Sequence, residues 1–141
     1  MMESIHRVFA TTLVLFSMLF VSATAQAASF NANASYYQSG HIMANGGRFD
    51  RNDPGTAAHP SLPFCTVLRL TNQGNDRTLY VTIRDRGPYV KGRNLDLTLA
   101  GARQLGFIEH GTAHLVAHIV HIGLPHEKCP RYGANVRIAA R

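Results

Sequence analysis

The sequence predicts a mainly β protein, a closed or nearly closed barrel of short strands with one small helix. Runs rich in β-branched residues recur along the chain, and short turn-forming segments separate them. Only one segment carries the start and stop signals of a helix. Many short strands with a single small helix are typical of a barrel, because closure of the sheet leaves no strand edge exposed.

The clearest strand signal is a β-hairpin in the middle of the chain. Its strands are expected at residues 65–71 and 78–85, which are rich in Val, Leu, Ile and Thr. The intervening segment, residues 72–77, is dense in Asn, Gly and Asp, which favour turns. The two runs are therefore interpreted as antiparallel neighbours.

Two further strands and one helix complete the prediction. A short strand is expected at residues 34–37 and a longer one at 112–122. The apolar face of the longer strand is expected to contain Leu115, Ala117 and Ile119. Thr98 is placed to cap a helix over residues 99–105, and Gly106 fits the position after its last turn.

The N-terminus has the order of a secretory signal peptide. Arg7 supplies the positive charge, residues 8–21 are nearly all apolar, and small-x-small cleavage sites follow at residues 23–27. The apolar run is shorter than the roughly 20 residues that span a bilayer, although an uncleaved anchor is the alternative. We therefore expect export to the periplasm or the extracellular space, with no stable membrane anchor after cleavage. The expected organisation is a signal peptide at 1–27, one barrel domain at 28–123 and a C-terminal tail at 124–141.

The mature chain is basic and carries two cysteines. The formal charge of +6 survives signal removal, because Glu3 and Arg7 cancel. This charge favours anionic polymers, namely cell-wall glycan, a membrane surface or nucleic acid, without choosing among them. Export permits a disulfide between Cys65 and Cys129, and the even number of cysteines favours pairing over two free thiols. The bond would hold the tail against the barrel.

Asp85 is the carboxylate that is hardest to explain as purely structural. It shares strand parity with Val81 and Ile83, so it is expected to point to their apolar side at the rim of the barrel. Arg84 and Arg86 flank it, and the following Gly-Pro pair breaks the strand and opens space. Asp85 is therefore a candidate general acid. The alternative is a carboxylate that pairs with an arginine and caps a turn.

Asp50 and His59 are further candidates for the same site. Asp50 ends a Gly-rich loop, residues 44–50, in which Gly46 and Gly47 permit close approach of a ligand. The loop lacks the Lys-Ser/Thr ending of a phosphate-binding loop. His59 is interpreted either as a proton carrier or as a hydrogen-bond anchor.

The other histidines do not indicate a metal site. His114 and His118 share one face of a strand but lie about 13 Å apart, too far to bind one zinc ion together. His121, His126 and Cys129 match no known ligand spacing. We expect no metal and no cofactor.

Several segments, taken together and in order, resemble the RlpA (rare lipoprotein A) family. They are residues 34–37, 44–50, 56–59, 62–63, 67–72, 83–89, 94–98 and 105–106. Each is weak alone, whereas the ordered set is specific and extends over most of the mature chain. The resemblance implies a six-stranded double-psi β-barrel related to expansins, with one or two short helices.

The resemblance also implies an activity. Active members of the family are lytic transglycosylases that act on peptidoglycan, especially on glycan stripped of its stem peptides. The expected reaction is endolytic cleavage of the MurNAc-GlcNAc β-1,4 bond with formation of 1,6-anhydro-MurNAc, in cell-wall organisation and septation. Asp85 would be the essential acid, with Asp50 and His59 in the same groove. The expected substrate-binding residues are Tyr36, Tyr37, Asn45, Gly46, Arg84, Arg86 and Tyr89.

Two departures from the family pattern bear on this activity. Gly47 stands where the family usually carries Glu, and Met43 replaces the usual Thr. Ordinary glycosidases need two carboxyl groups. A lytic transglycosylase can use one, because the C6 hydroxyl of the sugar attacks C1 and the same carboxyl can then accept its proton.

Three functions therefore remain open. The first is the enzyme, the second is a non-catalytic expansin-like module that binds cell-wall glycan, and the third is an exported effector or inhibitor. The expected partner is a peptidoglycan glycan strand rather than nucleic acid, and the expected state is a monomer.

Overall fold

A computed structural model describes residues 28–131, which form a closed six-stranded barrel with one helix. The elements are β1 (Ser29–Tyr37), β2 (Thr56–Ala58), β3 (Val67–Asn72), β4 (Thr78–Asp85), β5 (Leu95–Thr98), α1 (Leu99–Leu105) and β6 (Ala113–His121). The strand order around the barrel is β1-β5-β2-β4-β3-β6. The predicted mainly β barrel is therefore confirmed. Within the described part of the chain, no helix has the length and apolar character needed to cross a membrane.

The barrel combines two parallel strand pairs with four antiparallel ones, and the parallel pairs bring distant segments together. β1 runs parallel to β5 and β2 parallel to β4, whereas the other neighbouring pairs are antiparallel. The pairing of β2 with β4 places Ala58 opposite Asp85. The residues that follow β2 therefore lie beside the end of β4.

The predicted hairpin is present, with a later start. β3 and β4 pair from Val67 opposite Thr82 to Thr71 opposite Thr78. β3 begins at Val67 rather than at residue 65, because Cys65 has a left-handed backbone with φ of 68° that extended strands do not accommodate.

β1 is longer than its sequence indicates. It begins at Ser29, five residues before the predicted start, and this extra part pairs with β6 from Ser29 opposite His118 to Ala34 opposite Ala113. Ala32 and Ala34 are fully buried. Small side chains of low β propensity thus form a strand here because the partner strand and the core select it.

The barrel interior is apolar, and the helix lies where the sequence places it. The fully buried side chains of the core include Leu68, Leu70, Leu79, Val81, Ile83, Leu95, Leu97, Leu105 and Leu115. The Thr98 hydroxyl accepts the Gly101 amide at 3.1 Å, and Gly106 ends the helix with φ of 75°. Asp96, two residues before the cap, lies within β5 and accepts a hydrogen bond from the Ser35 hydroxyl of β1.

The described part of the tail is tied to the outside of the barrel. Cys65 and Cys129 form a disulfide with their Cα atoms 4.5 Å apart, which confirms the predicted pairing. The carbonyl of Pro130 accepts hydrogen bonds from the Thr82 hydroxyl at 2.8 Å and from Arg84 at 2.6 Å. The predicted signal peptide and the rest of the tail lie outside the described residues.

Replacement of both cysteines by serine tests how much the tail stabilises the barrel. The disulfide joins residues 64 positions apart, and the chain-entropy model predicts a loss of about 4 kcal/mol in the free energy of unfolding when it is removed. Urea denaturation of wild type and C65S/C129S, each without and with a reducing agent, gives this difference. Equal midpoints for the two proteins without the reducing agent would show that the bond contributes nothing to stability.

Candidate active site

The carboxylate of Asp85 is held by three hydrogen bonds at the end of β4. Its Oδ1 accepts the Ala44 amide at 2.8 Å and the Arg86 amide at 2.9 Å. Its Oδ2 accepts the Tyr37 hydroxyl at 3.2 Å. Because each carboxylate oxygen has two lone pairs, Oδ1 is saturated and Oδ2 keeps one acceptor position for a further partner.

Tyr37 comes from the opposite part of the barrel wall and is fixed in its role as a donor. Tyr36 packs toward the core, 6.2 Å from the Phe107 ring, so the next residue points to the other face of β1. There Tyr37 stacks on Phe49 with ring centroids 4.6 Å apart. Burial, together with the negative charge and hydrogen bond of Asp85, raises the pKa of Tyr37 far above its usual value. Its hydroxyl therefore stays protonated.

The Gly-rich loop lies across the end of β4. The Asn45 amide donates to the Arg84 carbonyl at 3.2 Å, next to the bond from Ala44 to Asp85. Gly46 has φ of 85°, and a Cβ added there would meet open space. The loop therefore presents bare backbone at Gly46, beside the anchored segment.

Gly47 occupies a tighter place in the same loop. A Cβ at this position would lie 3.1 Å from Asn45 Oδ1 and 3.2 Å from the terminal methyl of Met43. Met43 is buried, with 7% of its surface exposed. The methionine thus fills space that a longer side chain at position 47 would need.

His59 lies directly after β2 and beside Asp85. Its amide donates to the Asp85 carbonyl at 3.3 Å, and its Nδ1 accepts the amides of Ser61 and Leu62 at 3.1 and 3.0 Å. Burial and the nearby charge of Arg86 lower the pKa of His59 from its usual 6.5. The ring is therefore neutral and carries its proton on Nε2, which leaves Nε2 as the nitrogen that can exchange a proton with a ligand.

The two arginines that flank Asp85 have different surroundings. Arg86 donates to the carbonyls of His59 and Leu62 at 3.2 and 2.9 Å, and its guanidinium lies 3.8 Å from the centre of the Phe64 ring. These contacts hold the loop after β2. Arg84, on the other face of β4, donates to the carbonyls of the tail.

Three predicted site residues are not joined to Asp85 by the contacts of the structure. The Asp50 carboxylate is exposed and accepts the Asn52 amide of its own turn at 2.8 Å. Tyr36 donates to the Ile108 carbonyl at 3.4 Å. Tyr89 follows β4 with 81% of its surface exposed and is free to contact a ligand. Their roles stay predictions.

A cleft of about 750 Å³ adjoins the site and was missed from the sequence. We call it the tail cleft; residues 44–45, 63–65, 84, 123–129 and 131 line it. Ala44 belongs both to this lining and to the hydrogen bonds of Asp85. The tail has no strand or helix pattern that would have placed it here, and only the cysteine pair indicated that it returns to the barrel.

Metal ligands do not cluster in the described part of the chain. No three side chains of the His, Cys, Asp or Glu type come close enough between residues 28 and 131 to share a metal ion. His114 instead contacts Asn33 at 2.7 Å, and His121 pairs with Glu127 at 2.9 Å.

Comparison with known families identifies the class of this barrel. The family model described as Lytic transglycolase matches residues 29–117. This span contains the complete Asp85 site and most of the barrel. The chain therefore belongs to the lytic transglycolase family of RlpA-like double-psi β-barrel proteins, as its ordered segments predicted.

Curated relatives carry names that describe an activity. A protein of Nostoc sp. called "Probable endolytic peptidoglycan transglycosylase RlpA" is 46% identical over 60% of this chain and 24% of its own length. "Endolytic peptidoglycan transglycosylase RlpA" of Neisseria meningitidis serogroup A is 41% identical over 59% of this chain and 36% of its own. A Treponema pallidum relative, also named a probable RlpA transglycosylase, is 38% identical over 79% of this chain and 36% of its own. The chain thus matches only about a quarter to a third of each relative.

Solved structures support the fold class. A Streptomyces papain inhibitor superposes with a TM-score of 0.57 at 20% identity, over 67% of this chain and 96% of its own. An expansin of Clavibacter michiganensis gives a TM-score of 0.54 at 19% identity, over 69% of this chain and 52% of its own. Both neighbours are double-psi barrels, which confirms the predicted fold.

The lowered pKa of His59 predicts a stability change in mild acid. Below pH 6.5, His59 takes up a proton in the unfolded chain but resists it in the folded protein. The free energy of unfolding therefore decreases as the pH is lowered, until the pH falls below the pKa of His59 in the folded protein. In H59N the amide oxygen can still accept the two loop amides but cannot titrate. Chemical denaturation between pH 7.5 and 5 should show a smaller decline for H59N than for wild type. An identical decline of the free energy of unfolding with decreasing pH in both proteins would contradict a lowered pKa of His59.

Proposed function

We propose that this chain is an endolytic lytic transglycosylase of peptidoglycan, exported from the cytoplasm, with Asp85 as its acid and base. The observation that carries the proposal is the hydrogen bonding of Asp85. Tyr37 of β1, the Ala44 amide of the Gly-rich loop and the adjacent Arg86 amide hold its carboxyl group, and Oδ2 keeps one position for a substrate. The names of the relatives support the substrate class.

The proposed reaction needs neither a water molecule as nucleophile nor a second carboxylate. The Asp85 carboxyl gives its proton to the oxygen that joins MurNAc C1 to GlcNAc C4, and the C1–O bond breaks. The C6 hydroxyl oxygen of MurNAc bonds to C1 and closes the 1,6-anhydro ring. The hydroxyl proton passes to the Asp85 carboxylate, which restores the acid for the next cleavage.

Neighbouring residues would orient this carboxyl group rather than replace it. Tyr37 fixes Oδ2 from one side, while the amides of Ala44 and Arg86 fix Oδ1. Exposed Tyr89 supplies an aromatic surface for a sugar ring, and the bare backbone at Gly46 permits close approach of the strand. His59, whose backbone amide donates to the Asp85 carbonyl, carries an exchangeable ring proton on Nε2.

A non-catalytic glycan-binding module is the second candidate, favoured by one specific observation. Gly47 offers no carboxylate where the family usually carries Glu, and Met43 fills the neighbouring space. The barrel also superposes on an expansin. A module of this kind would bind the same glycan strands without producing anhydro ends.

Replacement of Asp85 by Asn separates these candidates. With denuded glycan strands as substrate, wild type should release 1,6-anhydro-muramyl products detected by mass spectrometry. D85N should lose at least about 100-fold in rate, the usual contribution of a general acid or base. D76N is the matched control, because Asp76 lies in the exposed β3–β4 turn with φ of 58°, a conformation that Asn tolerates. Binding of wild type to glycan with no anhydro product would favour the module.

Restoration of the family carboxylate tests the importance of position 47. Gly47 does not have a left-handed backbone, and the atoms a Cβ would meet belong to side chains that can move. We therefore expect G47E to fold. If Asp85 is the only carboxyl group that the reaction needs, G47E should change the rate of anhydro-product release less than about tenfold. G47Q is the control, because its side chain has the same size without the charge. Activity that is present in G47E but undetectable in wild type and G47Q would contradict the proposal that the natural chain is an enzyme.

A further inference from the structure

The tail cleft has walls of different chemical character. Its lining combines part of the Gly-rich loop, Arg84 of β4 and the tail that Cys129 ties to Cys65. Three permanent cations, Arg84, Lys128 and Arg131, lie in its lining. This concentration of positive charge is a property of the cleft itself rather than of the net charge of the chain.

These cations have no acidic partner within residues 28–131. The one contact there between a carboxylate and a basic side chain joins Glu127 to His121, which is a charged partner only when protonated. Glu127 also lines the cleft, and its carboxylate accepts hydrogen bonds from His121 at 2.9 Å and from the Leu124 amide at 2.9 Å. The carboxylate oxygens in the lining are therefore already occupied by these two groups.

Arg84 is partly desolvated without compensation by a carboxylate contact. Its hydrogen bonds go to the carbonyls of Cys129 and Pro130, and its Nε is buried without a partner. Burial lowers the pKa of Arg84, the charge of Asp53 offsets part of this, and the charge of Arg131 lowers it further. Arg84 and Arg131, both in the lining of the cleft, therefore repel each other, and an anion bound near both would relieve this repulsion.

The position of the cleft relates it to the Asp85 site. Arg84 and Asp85 are consecutive residues of β4, so their side chains point to opposite faces. Ala44 lines the cleft and also donates to Asp85, while Asn45 donates to the Arg84 carbonyl. The cleft is thus a subsite distinct from the candidate acid, and Ala44 of the Gly-rich loop adjoins both.

We propose that the tail cleft binds a carboxylate of peptidoglycan through Arg84, Lys128 and Arg131 and thereby positions the strand for Asp85. This inference rests on the proposed function for its substrate class. Two sources offer the same chemistry: the lactyl carboxylate of muramyl units that have lost their peptide, and the carboxylates of the stem peptide where it remains. In peptide-substituted units the lactyl group is an amide and carries no charge.

The test compares binding of glycans with and without carboxylates. In a D85N background that does not cleave, K128Q/R131Q is compared with R77Q/R103Q, which removes the same charge from exposed positions outside the cleft. The probes are denuded strands and the same strands with their carboxyl groups reduced to alcohols. K128Q/R131Q should weaken binding of denuded strands by about tenfold or more at low salt, as expected for loss of charge-assisted hydrogen bonds. Reduced strands should bind all three proteins equally, and added salt should shrink the difference.

The outcomes separate this inference from the proposed function. Unchanged affinity of K128Q/R131Q, or an equal loss in R77Q/R103Q, would overturn the carboxylate subsite, while release of anhydro product by the chain with Asp85 would still support the enzyme. Loss of affinity in K128Q/R131Q alone, with no anhydro product, would support the subsite and overturn catalysis. Peptide-substituted strands identify the source: an effect confined to denuded strands indicates the lactyl group alone, and an equal effect on both indicates that the cleft also binds the carboxylates of the stem peptide.

Discussion

The carboxylate of Asp85 joins the end of β4 to two segments that are far from it in sequence, the end of β1 and the Gly-rich loop. It accepts a backbone amide from the Gly-rich loop, a backbone amide from the residue that follows it, and the hydroxyl of Tyr37 on β1. The barrel order makes this arrangement possible, because β2 and β4 run parallel and end together. The loop, the position of His59 and the entrance to the tail cleft all depend on the same end of β4. Substitution of this carboxylate therefore affects loop geometry as well as chemistry.

Much of the fold could be predicted from local pattern, because its elements carry their own signals. The β3–β4 hairpin follows from β-branched runs around an Asn-rich turn, and α1 follows from its cap and terminal glycine. The first half of β1 could not be predicted. Its small residues have little strand propensity, and pairing with β6 determines its conformation. The hydrogen bond between Ser35 and Asp96 could not be predicted for a similar reason, since the two residues are distant in sequence.

The candidate site shows the same limit at the level of side chains. Strand parity drew attention to Asp85, and the resemblance added Tyr37, Asn45 and Gly46. Strand parity implies that Tyr36 and Tyr37 point to opposite faces of β1, but no sequence pattern indicated that Arg86 donates to the loop after β2. The tail cleft could not be predicted, because the tail is an irregular segment held by a disulfide and has no hydrophobic periodicity. Contacts between distant segments, which single-sequence patterns do not encode, decide each of these points.

The central claim is that a glycan strand lies across the end of β4 with its scissile bond at Asp85. A crystal structure of D85N with a denuded MurNAc-GlcNAc oligosaccharide tests this directly. The account predicts the bridging oxygen within about 3.2 Å of the side chain at position 85, on the side of Oδ2, as required for proton transfer. An oligosaccharide bound on another face of the barrel, with residue 85 out of contact with every glycosidic oxygen, would contradict it.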